Sequence, residues 1–400
     1  MKIRKIAYKL HLWVGLVTGL IVFIVCLTGC VWAFKLNGWI DGKVSVASVT
    51  KAHGFMRPSV AVARSSAAVG DIQPESVTYT PEGVVEVAFR DSSGVTSVSL
   101  DAAEGRILDV RHTPQHDIWS FIGEGHYSLW LPVSIGRPIV GYATLLFFLT
   151  LISGLVLWWP KNRRALRAAL LPKWNAGTRL SRRLYDLHNV IGFYAAPPLI
   201  VIAMTGMVWA IDWWGDGIYA LTSGGKSEVP WRLAQSDTTA VLSQKDGGGS
   251  SATFDITRAD MLTDSLYRTM MSSPRLMMVS LPDTADKTSA LVVVAQRDRL
   301  VYYDADRMSF DRYTFKEITP EGAYHGRYAD KGLADRLRRM NYDIHTGGIA
   351  GQGGRVIIFV ASLFGMTLPW TGVALYINKR RKRNKHKDKT ANKHITQHTP

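Results

Sequence analysis

The sequence predicts a membrane α-helical bundle of four spans, built from a duplicated helix hairpin (2+2), with two outward-facing α+β modules. Three observations predict it. Four apolar runs reach the roughly 20 residues a bilayer crossing needs. Basic residues collect in the segments that lie on one side of those runs. The first half of the chain returns, in the same direction, in the second.

Taken in order, residues 1–34 form the first span, 35–136 the first outer module and 137–160 the second span. Residues 161–183 are a basic loop, 184–214 the third span, 215–347 the second outer module, 348–378 the fourth span and 379–400 a basic tail. The first span is too long and too uniform for a cleaved signal peptide and reads as a retained anchor. In the first module, alternating runs at 76–79, 84–89, 95–100 and 106–110 are predicted strands, separated by turn-forming stretches such as Asp91-Ser92-Ser93-Gly94. In the second, 276–281, 290–295 and 299–303 are predicted strands, and Val301-Tyr302-Tyr303-Asp304-Ala305 resembles Val98-Ser99-Leu100-Asp101-Ala102.

The net charge of +16 is a topology signal. Lys2, Arg4, Lys5 and Lys9 precede the first span, an unbroken basic set runs from Lys161 to Arg183, and another runs from Lys379 to Lys393. Asp186 and Asp388 are the acids beside them, so the remainder of the chain is slightly acidic. The positive-inside rule places both termini in the cytoplasm and the two modules in the periplasm of a bacterial inner membrane. No nucleic-acid partner is implied. Cys26 and Cys30 lie one turn apart in the first span and read as small apolar fillers, which excludes a disulfide framework.

The repeat carries the chemistry. Leu10-His11-Leu12-Trp13-Val14-Gly15-Leu16 returns as Leu187-His188-Asn189-Val190-Ile191-Gly192-Phe193, and His11 to Thr28-Gly29 spans 17 residues, as does His188 to Thr205-Gly206. In the other spans, Arg137 to Ser153-Gly154 and Arg355 to Thr371-Gly372 are both steps of 16 residues. His126 and His345 precede these spans in matching places. Polar groups in a bilayer are costly and mark function. Parallel repeats share an axis along the membrane normal. That axis sets His11 opposite His188 near the inner face and His126 opposite His345 near the outer face.

Such imidazole pairs suit the iron of a b-type haem, two in all. Gly15, Gly19 and Gly192, on the histidine faces of their helices, would let a macrocycle lie flat, though small residues at this spacing also serve helix packing. Arg137 and Arg355 would meet propionates at the outer end, and Lys9, Arg182 and Arg183 at the inner. His112 or His116 would be the substitutes for His126. His325 reads as a surface residue, and His53, His386, His394 and His398 as solvated. The many Trp residues near span ends read as an aromatic belt. No dinucleotide fingerprint, P-loop, H-E-x-x-H or nucleophile elbow appears.

The Leu-His-x-x-x-Gly-Leu start, the Thr-Gly-x-x-Trp span ends and Asp343-Ile344-His345-Thr346-Gly347-Gly348 resemble the PepSY-associated transmembrane helix proteins over nearly the whole chain. The resemblance implies PepSY-like outer modules, including a strand ending at Asp304, and axial ligation by His11, His188, His126 and His345. The family includes di-haem reductases of ferric siderophores in the inner membrane. It therefore implies an oxidoreductase of iron acquisition. An inner haem between spans one and three would draw electrons from a quinol or a cytoplasmic donor. An outer one between spans two and four would pass them to a ferric siderophore or other ferric chelate. Gly347-Gly348 departs from the Gly-Arg of relatives and leaves Arg355 for any propionate there. Two other readings stand beside this one. The first is an anchored PepSY module that regulates or binds a periplasmic peptidase or peptide. The second is a haem subunit feeding a separate periplasmic reductase.

Overall fold

The computed structural model describes residues 2–36, 55–160, 162–239, 254–270, 276–297 and 301–396. The chain forms two units, a helical one of residues 1–37, 121–214 and 345–400 and a β-rich one of residues 38–120 and 215–344.

Among the described residues, four helices are long and apolar enough to cross a membrane. These are α1 (Lys2–Leu36), α4 (Val133–Trp158), α6 (Leu180–Ala210) and α10 (Gly351–Thr396). Both α1 and α6 pack on α4 and on α10, so α1 and α6 stand diagonally across the bundle. Its centre is made of Leu151, Ala195, Ala196, Leu199, Ala361 and Leu368. Arg4 donates to the carbonyls of Leu157 (3.2 Å) and Trp159 (2.7 Å), capping the C-terminal end of α4. Lys379 of α10 donates to the Tyr8 hydroxyl of α1 at 2.7 Å. The start of α1, the end of α4 and the Lys379 region of α10 therefore share one face of the bundle. The basic link beyond α4 carries α5 (Arg163–Leu170).

The helices begin and end a few residues away from the predicted bounds. α4 opens at Val133 rather than at 137, because Pro132 fits the cap position, where no N–H is needed. α10 opens at Gly351 and continues through the basic tail to Thr396. Short helices α3 (Ile118–Ser128) and α9 (Leu333–Thr346) lead into α4 and α10, and α7 (Asp212–Ser223) follows α6.

In the β-rich unit the first stretch is α2 (Pro58–Val69), β1 (Pro74–Tyr79), β2 (Val84–Arg90), β3 (Gly94–Asp101) and β4 (Ile107–Pro114). The second is α8 (Ile256–Met270), β5 (Leu276–Ser280), β6 (Leu291–Gln296), β7 (Asp306–Phe310) and β8 (Glu317–Ile318). The sequence predicts two separate modules, but the structure joins them. One antiparallel sheet runs β4-β3-β2-β1-β5-β6-β7-β8, with Val77 opposite Val279 and Thr78 opposite Met278 at the seam. Separate modules would leave β1 and β5 as open apolar edges. Pairing them buries Val77, Phe89 and Leu100 in one core with Met277, Leu291 and Met308. Asp260 of α8 also accepts from the Ser59 backbone N–H (2.9 Å) and hydroxyl, capping α2 across the seam.

One predicted strand is displaced. Val301 makes an isolated bridge, Tyr302 and Tyr303 are not in a strand, and 299–300 lie outside the described residues. The strand is β7, and the counterpart of Asp101 is Asp311, not Asp304. Asp101 Oδ1 accepts from the N–H groups of Ala103 and Glu104, and Asp311 Oδ1 from those of Tyr313 and Thr314. Gly105 (φ 68°) and Phe315 (φ 59°) then take the same left-handed place. Phe315 hides the match, since glycine is the usual residue there. Asp304 pairs with Arg297 at 3.0 Å instead.

Phe89 is fully buried, so Phe89→Ala should cost about 3–5 kcal/mol. With a shared core, amide exchange should quicken in β6 and β7 as well as in β2 and β3. Unchanged protection in β6 and β7 would instead mean two independent modules.

Candidate functional site

The bundle brings the four repeat histidines together in two pairs. His11 on α1 and His188 on α6 have ring centroids 6.1 Å apart and planes at 83°. His126 on α3 and His345 on α9 have centroids 6.3 Å apart and planes at 67°. The first pair lies near the face shared by the start of α1 and the end of α4, and the second lies toward the opposite end of the bundle.

Three of the imidazoles are seated on a carbonyl and a hydroxyl, and the fourth on a hydroxyl alone. His11 Nδ1–H donates to the Thr150 carbonyl (3.0 Å), with Ser153 Oγ at 3.3 Å. His126 Nδ1–H donates to the Val25 carbonyl (3.0 Å), with Thr28 Oγ at 3.2 Å. For His345 the partners are the Ile202 carbonyl (3.1 Å) and Thr205 Oγ (3.0 Å). For His188 the partner is Thr371 Oγ at 2.7 Å. Each seat hydroxyl also lies within 3.1 Å of a carbonyl of its own helix to which it donates, so its oxygen is free to accept. All hydrogen bonds of the four rings to described residues run through Nδ1. The carbonyl partners fix the proton on Nδ1 of His11, His126 and His345 and leave the Nε2 lone pair free, an arrangement like that of metal-bound histidines; at His188 the hydroxyl partner is compatible with the same tautomer.

The glycine after each hydroxyl completes the seat. A Cβ at Gly29 would stand 2.9 Å from His126 Cε1, at Gly154 3.0 Å from His11 Cε1, and at Gly206 3.2 Å from His345 Cε1. At Gly372 it would stand 3.7 Å from His188 Cε1, an ordinary contact. The sequence shows these Ser/Thr-Gly pairs as repeat markers but not as histidine seats. The signal is their matched placement in the repeat, 17 residues after His11 and His188 and 16 after Arg137 and Arg355, although the histidine each one seats comes from another helix.

The outer pair sits differently from its predicted place between spans two and four. His126 and His345 lie on the short helices before those spans, and their seats are on α1 and α6. The chain reverses after each histidine, at Leu129 and Trp130 (φ 56° and 59°) and at Gly347 (φ 80°). Trp130 folds back on Phe121 at 5.1 Å and donates Nε1–H to its carbonyl at 2.8 Å. Trp209 stands edge-on to His345 at 5.4 Å, a more specific role than an aromatic belt.

Around the inner pair is a cavity of about 1010 Å³. Gly15, Gly19, Gly192, Gly154 and Gly372 line it, with Phe147, Trp158 and Phe193. A Cβ at Gly15 or Gly192 would meet its nearest neighbour at 3.7 or 3.8 Å, so helix contact does not demand glycine there. At Gly19 the neighbour is Pro369 Cβ at 3.3 Å, a close helix approach. Arg179, Arg182, Lys379 and Lys382 also line the cavity. Arg183 donates to the Asn175 carbonyl instead. Arg355 is buried and Arg137 is exposed, so the two matched arginines are not in equivalent settings.

The remaining histidines fall elsewhere. His112 is on β4 and contacts Thr96 Oγ at 3.0 Å, His116 is exposed, and His53 and His398 lie outside the described residues. His325 is not a surface residue. It is 2 % exposed, stacks under Trp231 at 6.4 Å and contacts the Arg232 carbonyl through Nε2 at 2.8 Å.

Four long apolar helices and two seated imidazole pairs define a polytopic membrane protein with two buried histidine-pair sites. The chain matches the PepSY-associated TM region over residues 8–379 and belongs to that family. No curated protein matches it.

Alanine at the four seat glycines should grade with the space available. Gly29→Ala and Gly154→Ala should each cost about 1–3 kcal/mol in thermal unfolding, Gly206→Ala somewhat less, and Gly372→Ala close to nothing. Equal effects at all four would remove the seat as the reason for glycine.

Burial, and behind it the charges of Arg307, Lys331 and Arg339, hold the His325 pKa below its ordinary 6.5 despite the bond to Arg232. His325 thus folds neutral. Its contribution to stability is complete above pH 6.5 and is lost as pH falls toward the folded-state value. His325→Gln should flatten the pH dependence of β-rich-unit stability below that point. An unaltered profile would clear His325 of this role.

Proposed function

We propose that this chain is a di-haem b electron-transfer protein of the bacterial inner membrane that reduces a ferric chelate, such as a ferric siderophore, on the periplasmic side. The observation that carries the reading is the pair of imidazole pairs, each with Nδ1 engaged. Two imidazoles bound end-on to one iron at about 2 Å hold their ring centres roughly 6 Å apart. The distances here are 6.1 and 6.3 Å. Among the described residues no group of three or more His, Cys, Asp or Glu could hold a bare ion. Two imidazoles per site would instead suit an iron that draws its remaining donors from a macrocycle.

His11 and His188 would hold the inner haem, with Gly15 and Gly192 leaving its faces clear and Arg179, Arg182, Lys379 and Lys382 taking its propionates. His126 and His345 would hold the outer one, with Arg137 and Arg355 the candidates for its carboxylates. When bound, each haem supplies a one-electron Fe(III)/Fe(II) couple. The residues would hold these couples apart: His11 and Thr28, the outer seat on the same helix, are 17 residues apart, roughly 25 Å along α1. That fits a bilayer core of about 30 Å. The basic face at the start of α1 and the end of α4 supports a cytoplasmic inner site. One electron per ferric ion, drawn from a quinol or a cytoplasmic donor, yields ferrous iron, a poorer match for hard oxygen donors. The iron is then released.

The purified protein should be red, with two b haems per chain by pyridine haemochrome. His11→Ala should remove one haem and His126→Ala the other. A colourless protein made with haem available would overturn the reading and leave an anchored binding unit in its place.

A further inference from the structure

Three of the four ligand histidines lean on a backbone carbonyl as well as a hydroxyl, whereas His188 leans on a hydroxyl alone. The difference is chemical. A carbonyl only accepts, so it locks His11, His126 and His345 in the tautomer that carries hydrogen on Nδ1. A hydroxyl accepts or donates. If Thr371 turned its hydrogen toward Nδ1, His188 would carry its proton on Nε2 and lose the lone pair that binds iron. What prevents this is the Thr371 hydroxyl's own bond to the helix behind it. Its oxygen lies 3.1 Å from the Thr367 carbonyl and 3.0 Å from that of Leu368.

The seat is also looser on its other side. Gly372 leaves 3.7 Å to the ring where the other glycines leave 2.9 to 3.2 Å, so packing does not hold His188 as it holds its counterparts. Resting on the haem reading above, we propose that Thr371 is the positioning residue on which ligation at the inner pair depends. Its hydroxyl alone selects the ligating tautomer of His188, and the inner haem is the more readily exchanged of the two. Ser153, Thr28 and Thr205 occupy the same places in their seats but are backed by carbonyls, and none of them is decisive.

The test is haem transfer from the full-length protein in detergent to excess apomyoglobin, with low-spin ferric signals recorded by electron paramagnetic resonance. His11→Ala identifies the inner signal. In the unmodified chain the inner haem should leave first. Thr371→Val should speed its loss by about 10–100-fold, the usual effect of removing the partner of a metal-bound histidine. It should also convert the inner signal partly to high spin. Thr371→Ser should restore both properties. Ser153→Ala, Thr28→Val and Thr205→Val should change transfer by no more than a few-fold. The outer signal, in the same molecule, reports that the bundle has folded, and Thr371→Ala repeats the deletion with a smaller side chain. Equal loss in Thr371→Val and Ser153→Ala would overturn the proposal, as would an inner haem unmoved by Thr371→Val. Joint loss of both haems in Thr371→Val and Thr371→Ala would also overturn it, because Thr371 would then hold the bundle and not one ligand. An unmodified chain without haem would instead overturn the haem reading itself.

Discussion

An imidazole inside a bilayer needs a partner for its N–H, and this constraint shapes the helical unit. Water is not there to supply an acceptor, so the neighbouring helix must. A Ser or Thr followed by Gly answers two needs at once. The hydroxyl, satisfied by its own helix, turns a lone pair outward, and the missing Cβ lets the ring come near enough to use it. A carbonyl one turn away adds a second acceptor in three seats. The same dipeptide recurs in all four spans because the same problem recurs four times.

The β-rich unit shows a comparable economy. A helix and four strands make a half-core that would expose the edge of its first strand. Placing two such halves edge to edge removes both open edges and makes one core of the apolar faces. Asp260, reaching from α8 to cap α2, closes the join on the helical side. The carboxylate turns at Asp101 and Asp311 repeat within this unit as faithfully as the histidine seats repeat within the bundle.

Much of this was legible in the residues, and the failures have physical reasons. The spans, the pairing partners of His11 and His126, and most strands follow from apolar length, matched spacing and alternation. β7 did not, because Asp306-Arg307-Met308-Ser309-Phe310 carries charge where a strand ordinarily shows its apolar face, and because Phe315 stands where glycine would have marked the turn. The joined sheet was not visible because strand edges leave no mark in composition. His325 reads as exposed from its polar neighbours, yet those neighbours, Arg339 above all, are themselves tied to backbone carbonyls around it. The seats were in plain view as Thr-Gly and Ser-Gly, but periodicity says only that two residues share a face, not that one fills the hollow left by the other.

Every seat lies in the same half of the chain as the histidine it holds, while every pair is made across the halves. His11 rests on α4 and His126 on α1; His188 rests on α10 and His345 on α6. The sheet obeys the same rule, each half complete except for the one strand edge it offers the other. A chain of half this length would thus already present two prepared imidazoles and one open edge. The two halves are not identical, and the solitary hydroxyl beneath His188 and the unequal settings of Arg137 and Arg355 are places where they differ.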